Sequence, residues 1–186
     1  MPFTFDYFNI SGLVLITPSK FFDERGSFLE IYKKSNYVDA GIDIDFIQCN
    51  QSSSKKNVLR GLHYQRPPFG QGKLLRVLHG VIFDVAVDIR NDSETFGKFV
   101  TVELSDKNNQ LFYIPSGFAH GFCVVSENVI VEYFTTSEYV PNSEAGIKWN
   151  SPKLNIPWPV IEPVLSKKDM ELPDFSSLCI PSEPKA

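Results

Sequence analysis

The stretch "KLLRVLHGVIFDVAVDIR", residues 73 to 90, limits the possible folds of this chain more than any other. It reads as two strands broken at His79-Gly80, and in the second half apolar side chains fall on both faces. A strand of that kind has to be covered on both sides, and Phe83, Val85, Val87 and Ile89 are expected in the core. Helical cover is not on offer. The sequence suggests helix only in brief pieces: "SNYVDAG", where Ser35 is placed to cap a turn closed by Gly41, and "SKKDMEL", where Ser166 and Asp169 have capping-box spacing. Further strand candidates are "SGLVLITP", "GSFLEIYK", "DFIQCNQS", "FGKFVTVELS", "QLFYIPS", "HGFCVVSE" and "NVIVEYFTTSEY", each bounded by turn residues. With 16 Phe and 7 Tyr among 186 residues, about ten short strands predict one all-β domain, a sandwich, jelly roll or small barrel. From Pro152 onward seven prolines interrupt the chain. The segment from about residue 150 is therefore expected to lie extended along the body rather than to form a second domain.

Charge and cysteine usage narrow the function classes. A net charge of -4 and a pI near 5.4 give no basic surface to displace counterions from a nucleic acid, so no nucleic-acid partner is expected. No apolar run approaches the roughly 18 residues needed to span a bilayer, so no membrane partner is expected. Cysteines at 49, 123 and 179 are irregularly spaced, and "MPFTFDYFNI" lacks a basic region followed by an apolar one, which together predict a reducing cytoplasm. "GQGKLL" lacks the spacing and the Ser/Thr of a phosphate-binding loop. "PSGFAH" is similar to half of the cupin metal signature. The other half should supply His-x-His, but "GLHYQ" offers one histidine with no carboxylate near, so no metal is expected.

Six segments in register carry a resemblance that covers about residues 10 to 170: "FFDERGSFLE", "VLRGLHYQ", "QGKLLRVLHGVIFDVAVDIR", "FYIPSGFAHGF", "EYFTT" and "SEAGIKWNSP". Together they resemble the dTDP-4-dehydrorhamnose 3,5-epimerases. The resemblance implies a cupin-like jelly-roll barrel, a homodimer, no metal or cofactor, and a dTDP-linked 4-keto-6-deoxyhexose as substrate.

Inverting a carbon beside a ketone requires a base for the α-proton, a donor for the enolate oxygen, and an acid acting from the opposite face. His63 suits the base, because imidazole is largely neutral near pH 7 and easily tuned. The family pairs it with a late aspartate, which the resemblance places at Asp169, and a carboxylate on one ring nitrogen would fix the tautomer. Tyr133 suits the acid, since alternation puts Val129, Val131, Tyr133 and Thr135 on one face, toward the interior. Lys73 suits the oxyanion partner. His120 is implied as a further polar contact to the sugar, with a role left open. Arg60 and Arg25 are the family-matched candidates for the diphosphate. The resemblance also implies that Gln48, Cys49, Asn50, Glu30, Glu144 and Lys168 line the pocket, with Arg25 and Glu30 reaching in from the partner subunit.

Taken singly, each residue has a structural alternative: a hydrogen-bonded core histidine at 63, a core aromatic at 133, a solvated turn lysine at 73, a cap partner at 169. His79, beside Gly80, is expected to be a turn residue. Strict alternation would place Arg60 and His63 on opposite faces of one strand, so a β-bulge is predicted at Gly61. Ser27 and Phe134 stand where family members often carry an aromatic and a lysine. These departures leave a single-carbon epimerase open. A non-catalytic sugar-nucleotide-binding module is the alternative from another class, and a metal-dependent cupin oxygenase a third.

Overall fold

Short apolar runs separated by turn residues become thirteen strands in the computed structural model, which describes residues 3–178. In chain order these are β1 (Phe3–Tyr7), β2 (Val14–Pro18), β3 (Lys20–Asp23), β4 (Gly26–Leu29), β5 (Gln48–Lys55), β6 (Leu59–Gln65), β7 (Lys73–His79), β8 (Val81–Asp88), β9 (Phe99–Ser105), β10 (Leu111–Ile114), β11 (Phe118–Val124), β12 (Asn128–Thr135) and β13 (Glu144–Gly146). Helices α1 (Lys34–Asp39) and α2 (Lys167–Met170) are short. Two antiparallel sheets face each other, one of six strands in the order β1-β2-β10-β7-β12-β5 and one of five in the order β13-β6-β11-β8-β9. β3 and β4 form a separate hairpin. This is the cupin-like jelly roll that the sequence suggests.

The two-sided strand at 73 to 90 is explained by three apolar clusters. Between the sheets, Leu75, Val77, Val129 and Val131 of one meet Ile82, Ala86, Leu104, Phe118 and Phe122 of the other. Outside the five-stranded sheet, Val85, Val87 and Ile89 are covered by the chain after β13, through Ile147, Leu154 and Phe175. Outside the six-stranded sheet, Leu74, Leu111 and Tyr113 are covered by Tyr37 of α1 and by Ile42, with Phe46 and Phe134 beside them. Irregular chain and a single turn of helix thus do the covering that longer helices perform in parallel-sheet proteins. His79 and Gly80 make the break between β7 and β8, where Gly80 adopts φ +86 and the His79 side chain is exposed beside Asp106.

The chain from 152 to 178 lies against the barrel. Val164 bridges Val58 in parallel, with its carbonyl accepting from the Leu59 amide at 3.1 Å and its own amide donating to Asn57 at 2.8 Å. Trp158 donates its indole N–H to the Trp149 carbonyl at 2.8 Å and stands edge-on to Phe83. Pro181, Pro184 and Cys179 lie outside the described residues.

Two local expectations need correction. Ser35 does not cap α1: the helix starts one residue earlier, at Lys34, with Lys33 in the cap position and no side-chain capping bond. β1, β3 and β13 are additional strands. β3 and β13 have only four and three residues, too few for alternation to register, and β1 (FTFDY) alternates toward a half-buried face.

Candidate active site

The predicted bulge is present in β6. His63 pairs with His120 of β11 while Arg60 pairs with Phe122, so Gly61 and Leu62 together face Gly121. Only glycine fits there. Gly61 has φ +117, and a Cβ on it would lie 2.6 Å from the Gly121 Cα and 2.7 Å from the His120 carbonyl oxygen. The extra residue turns Leu62 and Tyr64 outward, into the cluster under the C-terminal segment, and leaves Arg60 and His63 on the same inner wall.

Inward-facing positions around one part of the barrel interior are polar, while other inward positions of the same strands are apolar. β7 runs Lys73, Leu75, Val77; β12 runs Val129, Val131, Tyr133; β11 runs Phe118, His120, Phe122; β8 runs Ile82, Asp84, Ala86. These polar positions border a cavity of about 370 Å³ lined by Arg60, His63, Lys73, His120, Tyr133 and Asp169 among others. A second space of about 230 Å³ shares His63, Lys73 and Tyr133 and adds Gln48, Asn50, Tyr139 and Glu144. His63 and His120 stand on the five-stranded sheet, Lys73 and Tyr133 on the facing one.

His63 is half-buried, and its Nε2 lies 2.6 Å from the Asp169 Oδ1. Asp169 reaches it because Ser166 caps α2 and accepts from the Asp169 amide at 3.1 Å, which fixes the backbone and leaves the carboxylate free to point inward. Burial acts to raise the Asp169 carboxyl, but hydrogen bonds from His63 and Ser166, the His63 charge and the Gly61 amide outweigh it and hold it below the usual range. The pair leaves Nδ1 as the ring nitrogen free for a ligand.

Burial pushes Lys73 down to about 8, against the carboxylates of Asp84 and Glu144. It also raises the Tyr133 phenol, with the Arg60 charge opposing and Glu144 adding to the rise, so the phenol is a proton donor at neutral pH. Arg60 donates to the Ser54 hydroxyl at 3.1 Å. Glu144 is ion-paired with Lys168 and accepts from the Tyr139 hydroxyl. Burial acts to raise Glu144, but these bonds and the Lys168 and His63 charges hold it below its ordinary value.

The remaining candidates are placed differently. Alternation on β5 puts Gln48 and Asn50 toward the second space, hydrogen-bonded to each other at 2.9 Å. Cys49 between them is exposed on the opposite face, so its side chain does not line the pocket as expected. Arg25 lies at the tip of the exposed β3-β4 hairpin, its side chain 89% exposed and paired with Asp23 at 2.5 Å. Glu30 follows β4 and has one carboxylate oxygen buried without a partner. Neither lines either of the two spaces described above. Phe134 points away from the site into the outer cluster against Phe46, so the missing lysine at that position does not alter the cavity wall. Among the described residues, no three of His, Cys, Asp and Glu are grouped as a metal site, and no helix is long and apolar enough to cross a membrane.

Two further residues stand at the site without having been expected there from the sequence. Tyr139 lines the second space. Asp84 is fully buried, with its Oδ2 2.8 Å from the His120 Nε2. The signal for Asp84 was available: an acid within the otherwise apolar run "VIFDVAV" needs a partner inside.

The chain is 48% identical over 162 residues to a dTDP-4-dehydrorhamnose 3,5-epimerase of Shigella flexneri, covering 87% of this chain and 90% of that one. A Methanothermobacter thermautotrophicus protein of the same description is 44% identical over 170 residues, covering 90% and 91%. The crystal structure of a dTDP-6-deoxy-D-glucose-3,5-epimerase from Legionella pneumophila, in complex with dTDP-4-keto-L-rhamnose, superposes with a TM-score of 0.93 at 43% identity, covering 99% of this chain and 100% of that one. With residues 7–177 matched by the profile of the dTDP-4-dehydrorhamnose 3,5-epimerases, and the histidine–aspartate pair and facing tyrosine in one cavity, the chain belongs to that family.

Proposed function

We propose that this protein epimerises a dTDP-linked 4-keto-6-deoxyhexose at C3 and C5, converting dTDP-4-dehydro-6-deoxy-D-glucose to dTDP-4-dehydro-L-rhamnose. His63 removes the proton from the carbon beside the ketone. The electron pair moves to the C4 oxygen as an enolate, which Lys73 stabilises by charge and hydrogen bonding. Tyr133 then gives its proton to the same carbon from the opposite face, and solvent resets the imidazolium and the phenolate. Each carbon gains and loses one proton, so the reaction is redox-neutral, and the proposal needs no cofactor.

One observation carries this reading: a carboxylate-backed imidazole and a protonated phenol stand on facing sheets of a single cavity. A planar enolate between two such walls is deprotonated from one side and reprotonated from the other. Arg60 is assigned to the diphosphate. Gln48, Asn50, Glu144, Lys168 and His120 are assigned to the nucleotide and sugar.

We assign Arg25 and Glu30 to the site of a partner subunit in a cytoplasmic homodimer. The β3-β4 hairpin that bears Arg25 exposes Phe21, Phe22 and Phe28 at 44%, 76% and 62%, an apolar patch suited to burial against a second copy.

Incubation with the dTDP-4-keto sugar in D₂O, followed by NMR, tests the activity. Deuterium is expected at C3 and C5. Label at one carbon would make the protein a single-carbon epimerase, and unlabelled sugar with normal binding would make it a binding module.

A further inference from the structure

The interior holds a second imidazole–carboxylate pair, to whose carboxylate the proposed reaction gives no part. His120 and His63 are direct cross-strand partners, so two imidazoles stand side by side on one cavity wall. Each has its Nε2 on a carboxylate, His63 on Asp169 at 2.6 Å and His120 on Asp84 at 2.8 Å. Asp84 comes from β8 and has no exposed surface, and its Oδ1 is buried without a hydrogen-bond partner. A carboxylate with half of its accepting capacity unfilled in the interior destabilises a fold, and an apolar residue at that position would not. Its position makes sense in terms of charge. The groups around the cavity are Lys73 from β7, Arg60 and His63 from β6, Tyr133 from β12, and Lys168 and Asp169 from α2, with Glu144 of β13 in the adjoining space. Asp169 is taken by His63 and Glu144 by Lys168. Asp84 is the carboxylate left for His120 and Lys73.

We propose that Asp84 is a positioning residue for catalysis: it holds His120 with Nε2 toward itself and Nδ1 toward the cavity, and it serves as the buried counter-charge that keeps His120 and Lys73 together as hydrogen-bond donors to the enolate oxygen. The inference rests on the epimerase reading. Burial acts to raise Asp84, while the His120 charge and hydrogen bond and the Lys73 charge act to lower it, so the three groups are electrostatically linked. The negative charge lies behind the donors, away from the substrate. It therefore sustains the donors without repelling the developing oxyanion directly.

Asp84→Asn tests this, since the asparagine side chain matches in shape and its oxygen can still accept from His120. The expected result is a fall in kcat of about 10- to 100-fold with KM changed by less than about 3-fold, as for an interaction made in the transition state. The melting temperature is expected to hold or rise, because a buried charge is gone. The alkaline limb of the kcat profile is expected to move to lower pH, because Lys73 has lost its counter-charge. A wild-type kcat with an unmoved alkaline limb would overturn the proposal, and so would a kcat loss explained by a lower melting temperature alone. If the variant fails to fold, ¹⁵N NMR of the wild-type protein decides. The expected His120 signal is that of an imidazolium protonated at both Nε2 and Nδ1, since only then does Nδ1 donate while Nε2 faces Asp84, and a neutral ring of either tautomer would overturn the proposal. Wild-type protein inactive in D₂O would refute the epimerase reading instead, and the His120 spectrum would still test the Asp84 contact.

Discussion

Lys73→Met should make this protein more stable and nearly inactive. Burial lowers Lys73 from 10.5 to about 8. At about 1.4 kcal/mol per pKa unit, keeping it charged at pH 7 costs the fold on the order of 3 kcal/mol. Part of the side chain still borders the cavity, and solvent screening reduces the figure to roughly 1–3 kcal/mol. Methionine keeps the length and apolar stem and carries no charge. For a chain of this size each kcal/mol moves the melting temperature by about 2–4 °C, so a rise of about 2–12 °C is expected.

The pH dependence identifies the cause. Because the folded pKa lies below the unfolded one, the unfolded chain binds more protons between about pH 8 and 10.5. Wild-type stability therefore gains from Lys73 as pH rises through that window. The advantage of the variant is full at pH 7 and closes toward pH 10.5. Denaturant unfolding of both proteins at pH 7 and near pH 10 measures it, and kcat should fall about 10²- to 10³-fold from the lost oxyanion donor. A variant less stable than wild type at pH 7, or a gap unchanged near pH 10, would refute the claim that burial strains this lysine.

Two other substitutions probe how the base is held. Asp169→Asn should lower kcat by about 10²- to 10⁴-fold, because an amide no longer supports the imidazolium, while circular dichroism stays the same; a kcat within about 3-fold of wild type would remove Asp169 from the mechanism. The same variant bears on acid stability: the wild-type Asp169 carboxyl lies below its unfolded value, so its contribution is whole above about pH 4 and is lost as pH falls through the folded value, a dependence the variant lacks. Gly61→Ala would bring a Cβ to 2.6 Å from the Gly121 Cα at φ +117 and should destabilise the protein by about 3 kcal/mol or more, read as a lower melting temperature or as insoluble protein. Wild-type stability and rate in that variant would show that the bulge is dispensable.

The sequence reveals most where a periodic pattern meets a physical requirement. Apolar residues on both faces of 81 to 89 demanded two-sided cover, and the clusters above and below β8 supply it. The conflict between alternation and chemistry at Arg60 and His63 located a bulge, because only an irregularity at Gly61 could turn both inward. Local rules failed where tertiary contacts decide. Ser35 was a good capping residue by type, yet α1 begins before it, set by Tyr37 packing into the outer cluster. The family resemblance implies Cys49 together with its neighbours, although period-2 alternation on β5 separates its side chain from those of Gln48 and Asn50. Phe134 looked close to the site in sequence, and the same alternation sends it to the outer face. Asp84 carries no periodic signal of its own, because it stands in an otherwise apolar run.

The base could not have been completed within the sheets alone. Along β6 the bulge uses the backbone around Gly61 to aim His63, and its cross-strand neighbour on β11 is another histidine, already paired with Asp84. Glu144 of β13, the other sheet carboxylate near His63, is taken by Lys168, so the carboxylate on His63 comes from outside the two sheets. The parallel bridge of Val164 to Val58 brings the C-terminal segment alongside the start of β6, and Ser166 opens a single turn of helix two residues later. In an ordinary capping box the acid three residues after the cap reaches back to the cap amide. Here the Ser166 hydroxyl alone fixes that turn, and the carboxylate of Asp169 is turned inward to Nε2 of His63. In the proposed reaction the segment is thus part of the catalytic base as well as cover for the core, so any change that undocks it should abolish proton transfer before it unfolds the barrel.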